Sequence, residues 1–188
     1  MTHFPLLKGP VAVNLVNTLV SDRPGRDLLG TSGQLRDWLR SQTPWIDTNG
    51  APGARLDDFR VLRDVLRALY RSVVTKSSPP PGSIETLNAF AASVATVLEL
   101  RHEDAGAGFS AGRRPLSEDG DASVLAAIAE SGIELLGGPD CDRLRACAGP
   151  GCRLFFLATH PARRWCDSRV CGNRVRVARH ARRRRERR

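Results

Sequence analysis

The sequence predicts an α+β protein in two parts: a helix-dominated N-terminal domain with a small β-hairpin, and a short C-terminal module dense in cysteine and arginine. Three observations carry that prediction. Apolar residues recur at helical spacing through much of the first 140 residues. All five cysteines fall between Cys141 and Cys171. The charge divides as sharply as the cysteines do. The 188 residues include 29 Lys+Arg and 20 Asp+Glu, for a net charge of +9. Residues 1–140 hold 14 of those basic and 17 of those acidic side chains, whereas residues 141–188 hold 15 and 3. A mildly acidic body therefore precedes a strongly basic module. The Gly-Gly-Pro-Asp run at 137–140 is the natural boundary, giving parts at 1–138 and 139–188.

Taken in order, Val11 to Leu19 places apolar residues at 11, 15, 16 and 19 with Asn14, Asn17 and Thr18 between them, a short amphipathic helix. Thr31-Ser32-Gly33-Gln34 offers a helix start, and Leu35, Trp38 and Leu39 form one face of that helix. The clearest helix spans Leu56 to Val74. Phe59, Leu62, Leu66, Leu69 and Val73 line its apolar side, with Arg60, Arg63, Asp64 and Arg67 on the others. After the break at Ser77 to Gly82, Ser83 is placed to cap a helix reaching about Ala95, with Ile84, Leu87, Phe90 and Val94 inward. Val97 to Arg101 and Gly108 to Ser110 flank a Gly-rich turn and predict a β-hairpin. Asp121 to Leu136 is one more helix, stopped by Gly137-Gly138-Pro139.

No apolar run approaches the roughly 20 residues a membrane span needs. The N-terminus also lacks the basic, apolar and small-residue order of a secretory signal, so the expectation is a cytoplasmic protein without a membrane partner. Nothing in the body resembles a Ser/His/Asp set, a phosphate loop or paired carboxylates, and the expectation is that it is not an enzyme.

The thiols repeat a pattern, Cys147-x4-Cys152-x13-Cys166-x4-Cys171. Two disulfides would need an oxidising compartment, for which no targeting segment speaks. Four inert core cysteines would have no reason to fall into two matched pairs among arginines. The reading that best accounts for the pairing is one structural zinc in a closed four-thiolate tetrahedron, with an iron–sulfur cluster as a variant of the same ligand set. Gly149, Pro150 and Gly151 suit the tight turn that points the first pair of sulfurs at one place. Arg153 to Ala158 is strand-like and predicts a hairpin with Leu144 to Cys147, across the first knuckle. Trp165 is placed to pack over the sulfurs or against Phe155 or Phe156. A knuckle on a hairpin followed by a knuckle that opens a helix is the plan of treble-clef-like zinc modules. Cys141 has no partner at matching spacing, and His160 and His180 read as loop and helix-surface residues.

Trp165-Cys166-x4-Cys171-Gly172-Asn173-Arg174, with Cys-Ala-Gly-Pro-Gly-Cys upstream and an arginine-rich segment behind, resembles the CGNR zinc-finger family over about residues 141 to 185. Proteins of that family usually carry an N-terminal ABATE domain associated with stress-induced transcription regulation. The body is similar to that domain at Asn14-Leu15-Val16-Asn17-Thr18-Leu19, Asp27-Leu28-Leu29, Leu35-x-x-Trp38-Leu39 and Arg60-x-x-Arg63-x-x-Leu66-Arg67. The chain departs from many relatives at Ala158 to Arg164, where they carry a longer Ser/Arg/Gly loop. The resemblance implies four-cysteine zinc binding and, through it, DNA binding.

Arg163, Arg164, Arg169, Arg174, Arg176, Arg179, Arg182 and Arg183 are suited to phosphate, because guanidinium stays charged and forks onto its oxygens. Asn173 and Arg174 are the candidates for base contact, at the expected start of the last helix, although Asn173 could equally cap it. Double-stranded DNA is the expected partner, which would associate the protein with the nucleoid; RNA is the alternative, since arginine-rich helices suit both. The body is a candidate sensor or homodimerisation domain. Asn14, Asn17 and Trp38 are its candidate ligand-pocket residues, against the plainer reading that they pack and cap helices. A small-molecule effector rests on family analogy.

Overall fold

The computed structural model describes residues 4–5, 9–20, 27–103 and 108–186, with side chains throughout except at 103, 179–182 and 184–186. Its longest element is the one with the clearest period. Helix α3 (Leu56–Thr75) buries Phe59, Leu62, Leu66, Leu69 and Tyr70 along one stripe and ends where Lys76 turns left-handed at φ 54°. Helix α1 (Val11–Val16), α2 (Ser32–Gln42), α4 (Ser83–Ala92) and α5 (Gly120–Gly137) assemble with it. Helix α1 lies against α3 and α5, and α4 packs on both of the same two. Gly132 of α5 lies against α3 and α1: a Cβ there would stand 2.5 Å from Leu66 Cδ2 and 3.7 Å from Ala12 Cβ, so a larger residue would displace the Leu66 side chain.

Side-chain acceptors fix the entry to α2 and to α3. Thr31 and Gln34 exchange hydrogen bonds in a capping box at the start of α2, as the sequence suggested. The turn entering α3 is held from afar. The buried carboxylate of Asp121, in the first turn of α5, accepts from the backbone N–H groups of Gly53, Ala54 and Arg55 at 2.9, 2.6 and 3.1 Å.

Three details differ from the sequence reading. Helix α1 is not amphipathic: all six of its residues are buried, as are Asn17 and Thr18 just beyond it. Arg63 and Arg67 are buried rather than on a solvent face, since each has found oxygen partners inside. Helix α4 starts from Gly82 at φ 74°, and its buried stripe runs through Ser83 and Leu87, one helical step around from Ile84, which is half exposed. Leu87 and Val94 are buried and Phe90 partly so.

The predicted hairpin is strand β1 (Thr96–Glu103) paired antiparallel with β2 (Gly108–Pro115). After α5, a 3₁₀ turn (Pro139–Arg143) leads into a second small sheet, β3 (Leu144–Ala146) with β4 (Phe155–Leu157). A π-helical turn (Ser168–Gly172) then runs without a break into α6 (Asn173–Glu186). The apolar core divides in two. The larger cluster fills the helical body and takes in Leu144 and Phe155; the smaller collects Leu154, Phe156 and Ala158 around the cysteines. Adjacent strand residues 155 and 156 thus face opposite cores, as the two-residue strand period requires.

Candidate metal centre

The two knuckles converge. The sulfurs of Cys147, Cys152, Cys166 and Cys171 lie within 4.8 Å of one another, with Cys152 to Cys166 at 3.9 Å and Cys166 to Cys171 at 3.6 Å. A tetrahedral zinc with arms of about 2.3 Å sets its sulfurs about 3.8 Å apart, so this donor set fits one zinc ion. Four thiols and no carboxylate or imidazole make the set closed and structural. When bound, zinc supplies bonds to all four sulfurs and ties the knuckles together.

Local structure explains the convergence. The first knuckle is closed by Cys147 N–H to Leu154 O at 2.9 Å and Cys152 N–H to Gly149 O at 3.0 Å. The backbone N–H groups of Gly149 and Cys166 both point at Cys147 Sγ, each at 3.4 Å. Hydrogen bonds from the thiols of Cys152 and Cys166, then from these N–H groups, draw Cys147 strongly towards thiolate; the Cys152 and Cys166 thiols are raised in turn. Gly149 is confined by its neighbours: a Cβ there would stand 3.0 Å from Cys171 Cβ and 3.2 Å from its sulfur. The second knuckle is opened by Asp167, whose carboxylate accepts from Arg169 and Val170 N–H at 2.6 and 3.1 Å. Cys171 therefore sits in the first turn of the element that continues as α6.

That turn corrects one expectation. The helical segment begins at Ser168, so Asn173 and Arg174 lie beyond its first turn, and the cap is Asp167 rather than Asn173. Local pattern hid this because Gly172 and Asn173 look like helix-start residues; the signal available was Asp167 followed by Ser168.

The predicted nucleic-acid residues divide into two groups. Arg163 turns inward, donating to the carbonyls of Trp165 and Cys166 at 3.2 and 2.6 Å and stacking over Phe156 at 4.8 Å. Its guanidinium thus braces the module. Arg174 donates to Pro150 O at 3.1 Å, joining α6 to the first knuckle, while remaining exposed. Arg164, Arg169, Asn173, Arg176 and Arg183 are exposed. Arg179 and Arg182 lie on α6, their side chains outside the described residues, as is that of His180. A groove of about 470 Å³ runs beside the second knuckle, lined by Thr159, His160, Arg163, Trp165 and Arg169 among others.

The body residues expected to line a pocket do something else. Trp38 is fully buried, its ring edge-on to Phe59 at 6.3 Å. Asn14 donates to Gln42 Oε1 at 3.0 Å. Asn17 reaches across to the metal module: its amide donates to Phe155 O at 2.9 Å and accepts from Phe155 N–H at 2.8 Å, pairing with β4 as a neighbouring strand would. These three side chains are core and seam; the groove beside the second knuckle and the cleft along α3 have other linings.

Arg67 strengthens the same seam. Its guanidinium donates to Val16 O at 3.0 Å and Arg153 O at 3.4 Å and lies over the Phe155 ring at 5.5 Å. Burial first, and then the neighbouring Arg153, Arg71 and Arg63 charges, lower it to about 10, so it stays a cation at neutral pH. Sequence reading missed this role because a basic residue on a helix usually faces water. The cleft along this seam, of about 250 Å³, lies between Arg71, Val74 and Thr75 of α3 and Cys152, Arg153 and Phe155.

Among families of known proteins, residues 9–139 match ABATE, described as "Putative stress-induced transcription regulator", and residues 143–184 match the CGNR zinc finger. No curated protein matches the chain. No helix among the described residues is long and apolar enough to cross a membrane.

Proposed function

The chain belongs to the ABATE family and carries a CGNR zinc finger, and from that premise we propose a zinc-dependent, DNA-binding transcription regulator. The observation that carries the reading is the continuity of Cys171 with α6: one metal ligand lies in the first turn of the element that bears Arg169, Arg174, Arg176 and Arg183. A helix has the width of a major groove, and one rooted in a metal site can enter it in a fixed orientation. Exposed guanidinium groups would then take the phosphates, and released counterions would supply most of the affinity. Asp167 holds the start of the helix, Arg163 braces the loop behind it, and Arg174 ties it to the first knuckle.

The body's part in this reading is to modulate the finger through the seam of Asn17, Arg67 and Phe155, in response to an effector or to assembly. The role is binding, with no catalytic step.

Fluorescence anisotropy with duplex DNA and with RNA of matched length, over a series of salt concentrations, tests the reading. Arg176→Gln with Arg183→Gln should weaken duplex binding and make the log–log salt slope shallower by about 0.9 for each phosphate no longer neutralised. Unchanged affinity would overturn the assignment to α6. Tighter binding to RNA would replace DNA as the partner.

A further inference from the structure

The cleft along the seam has a basic side and an apolar side. Arg71 of α3 and Arg153 of the first knuckle line it, together with Val74, Ala146 and Phe155. No Asp or Glu is among its lining residues, and the ion pairs formed among the described residues do not include Arg71. The Thr75 hydroxyl at its edge is already turned to Arg71 O, at 2.8 Å, so the donors of the cleft are its guanidinium groups. Both arginines stand on fixed backbone. Arg71 belongs to α3, and Arg153 is held on both sides: its N–H donates to Val20 O at 3.3 Å and its carbonyl accepts from Arg67 at 3.4 Å. Arg67 brings a third charge to the same seam. Burial, and then the charges of Arg153 and Arg71, lower it to about 10, a mutual repulsion that a bound anion would relieve.

We propose that this cleft binds a small carboxylate with a compact apolar body, the carboxylate taken by the Arg71 and Arg153 guanidinium groups and the body laid against Val74, Ala146 and Phe155. Guanidinium meets a carboxylate in a two-point fork, and a pocket with apolar walls and a few convergent polar groups is the usual form of a small-molecule site. Those walls select against inorganic phosphate and a nucleic-acid backbone, which bring no apolar surface to cover. Size limits the ligand as well. At about 250 Å³ the cleft is smaller than the roughly 300–1,000 Å³ of sites for drug-sized molecules. A ligand held here joins α3 to the knuckle beside Cys152, so it should tie the body to the metal module and slow the loss of zinc. Its role as an effector of transcription rests on the reading above; the binding itself does not, and its test needs no nucleic acid.

Titration calorimetry on nuclease-treated, zinc-loaded full-length protein, with benzoate as the probe and inorganic phosphate at matched ionic strength as its control, tests the cleft. Benzoate should bind saturably, one per chain, and slow zinc transfer to a chelator in step with occupancy. Arg71→Gln should weaken benzoate roughly tenfold or more, with circular dichroism and zinc content unchanged, because it removes a charged hydrogen-bond donor from an exposed position. Ala146→Leu, which narrows the cleft from the module side and removes no charge, should weaken it too. Absence of saturable binding at millimolar benzoate would overturn the proposal, as would binding that both substitutions leave unchanged. Phosphate binding as tightly as benzoate would overturn the carboxylate assignment. A zinc–tetrathiolate carries two net negative charges, which could also draw these arginines. If Arg71→Gln speeds zinc loss and the wild type takes up no benzoate, they serve that charge alone and the proposal falls.

Discussion

The helical body and the cysteine module solve the same problem by different means. The body buries a continuous stripe from five helices, with Phe59, Leu62, Leu66 and Trp38 fully enclosed. Among the described residues the module has two three-residue strands, short turns and the arginine-rich α6, and its own apolar cluster is small, gathered around the cysteines. Four convergent thiols supply what apolar area does not, since metal binding there is folding free energy. Small units rely on staples, and larger ones can rely on the hydrophobic effect. Between the two lies a seam of different character: a side-chain amide and a guanidinium from the body paired with backbone oxygens and a ring from the module.

Zinc removal should separate the two regions most strongly. Metal binding in such modules contributes about 10–16 kcal/mol to their folding, so chelation or Cys166→Ser should expose the backbone amides of 144–172 to rapid hydrogen exchange. The amides of α3 should stay protected. Simultaneous loss of protection in both would show that the seam makes them one cooperative unit. Phe59→Ala acts on the other side of the comparison. It should cost about 3–5 kcal/mol in urea unfolding of the body with zinc saturating, because it empties a fully enclosed site.

Asn17→Ala addresses the seam itself. It leaves the N–H and C=O of Phe155 without their side-chain partner, at about 1–3 kcal/mol for each buried group, and should lower the melting temperature and zinc retention together. A lower melting temperature with zinc retention unchanged would confine Asn17 to the body. The smallest effect is expected at Asp27. Burial alone would raise its carboxyl, but the hydrogen bonds from Arg63 and Leu29 and the nearby Arg63 and Arg60 charges outweigh it and hold the group below its usual range. Its contribution is therefore present above about pH 4 and lost as pH falls through the depressed folded value. Since the carboxylate is a third exposed, Asp27→Asn should cost only about 1 kcal/mol at neutral pH and flatten that acid limb of the stability curve.

Much of this organisation is legible in the sequence. The period of α3, the capping box at Thr31 and the paired cysteines depend on neighbours three to five residues apart or on a repeated spacing. Asn17, Arg63, Arg67 and Asp121 were not legible in the same way. Each is a polar side chain with a partner 36 to 138 residues away in the chain, and nothing in its local pattern marks it as buried. Arg163 could be recognised as basic but not as already engaged, because its partners are backbone carbonyls that only the folded loop brings within reach.

By itself, then, the sequence determined the family, the four-thiol metal set, the split of charge and the helix-rich body, because spacing and composition record them directly. Only the tertiary structure decided which arginines are already engaged and that Asn17 closes a seam with the metal module. Those outcomes depend on which distant groups meet, and a hydrogen-bonding side chain carries no local sign of where its partner lies.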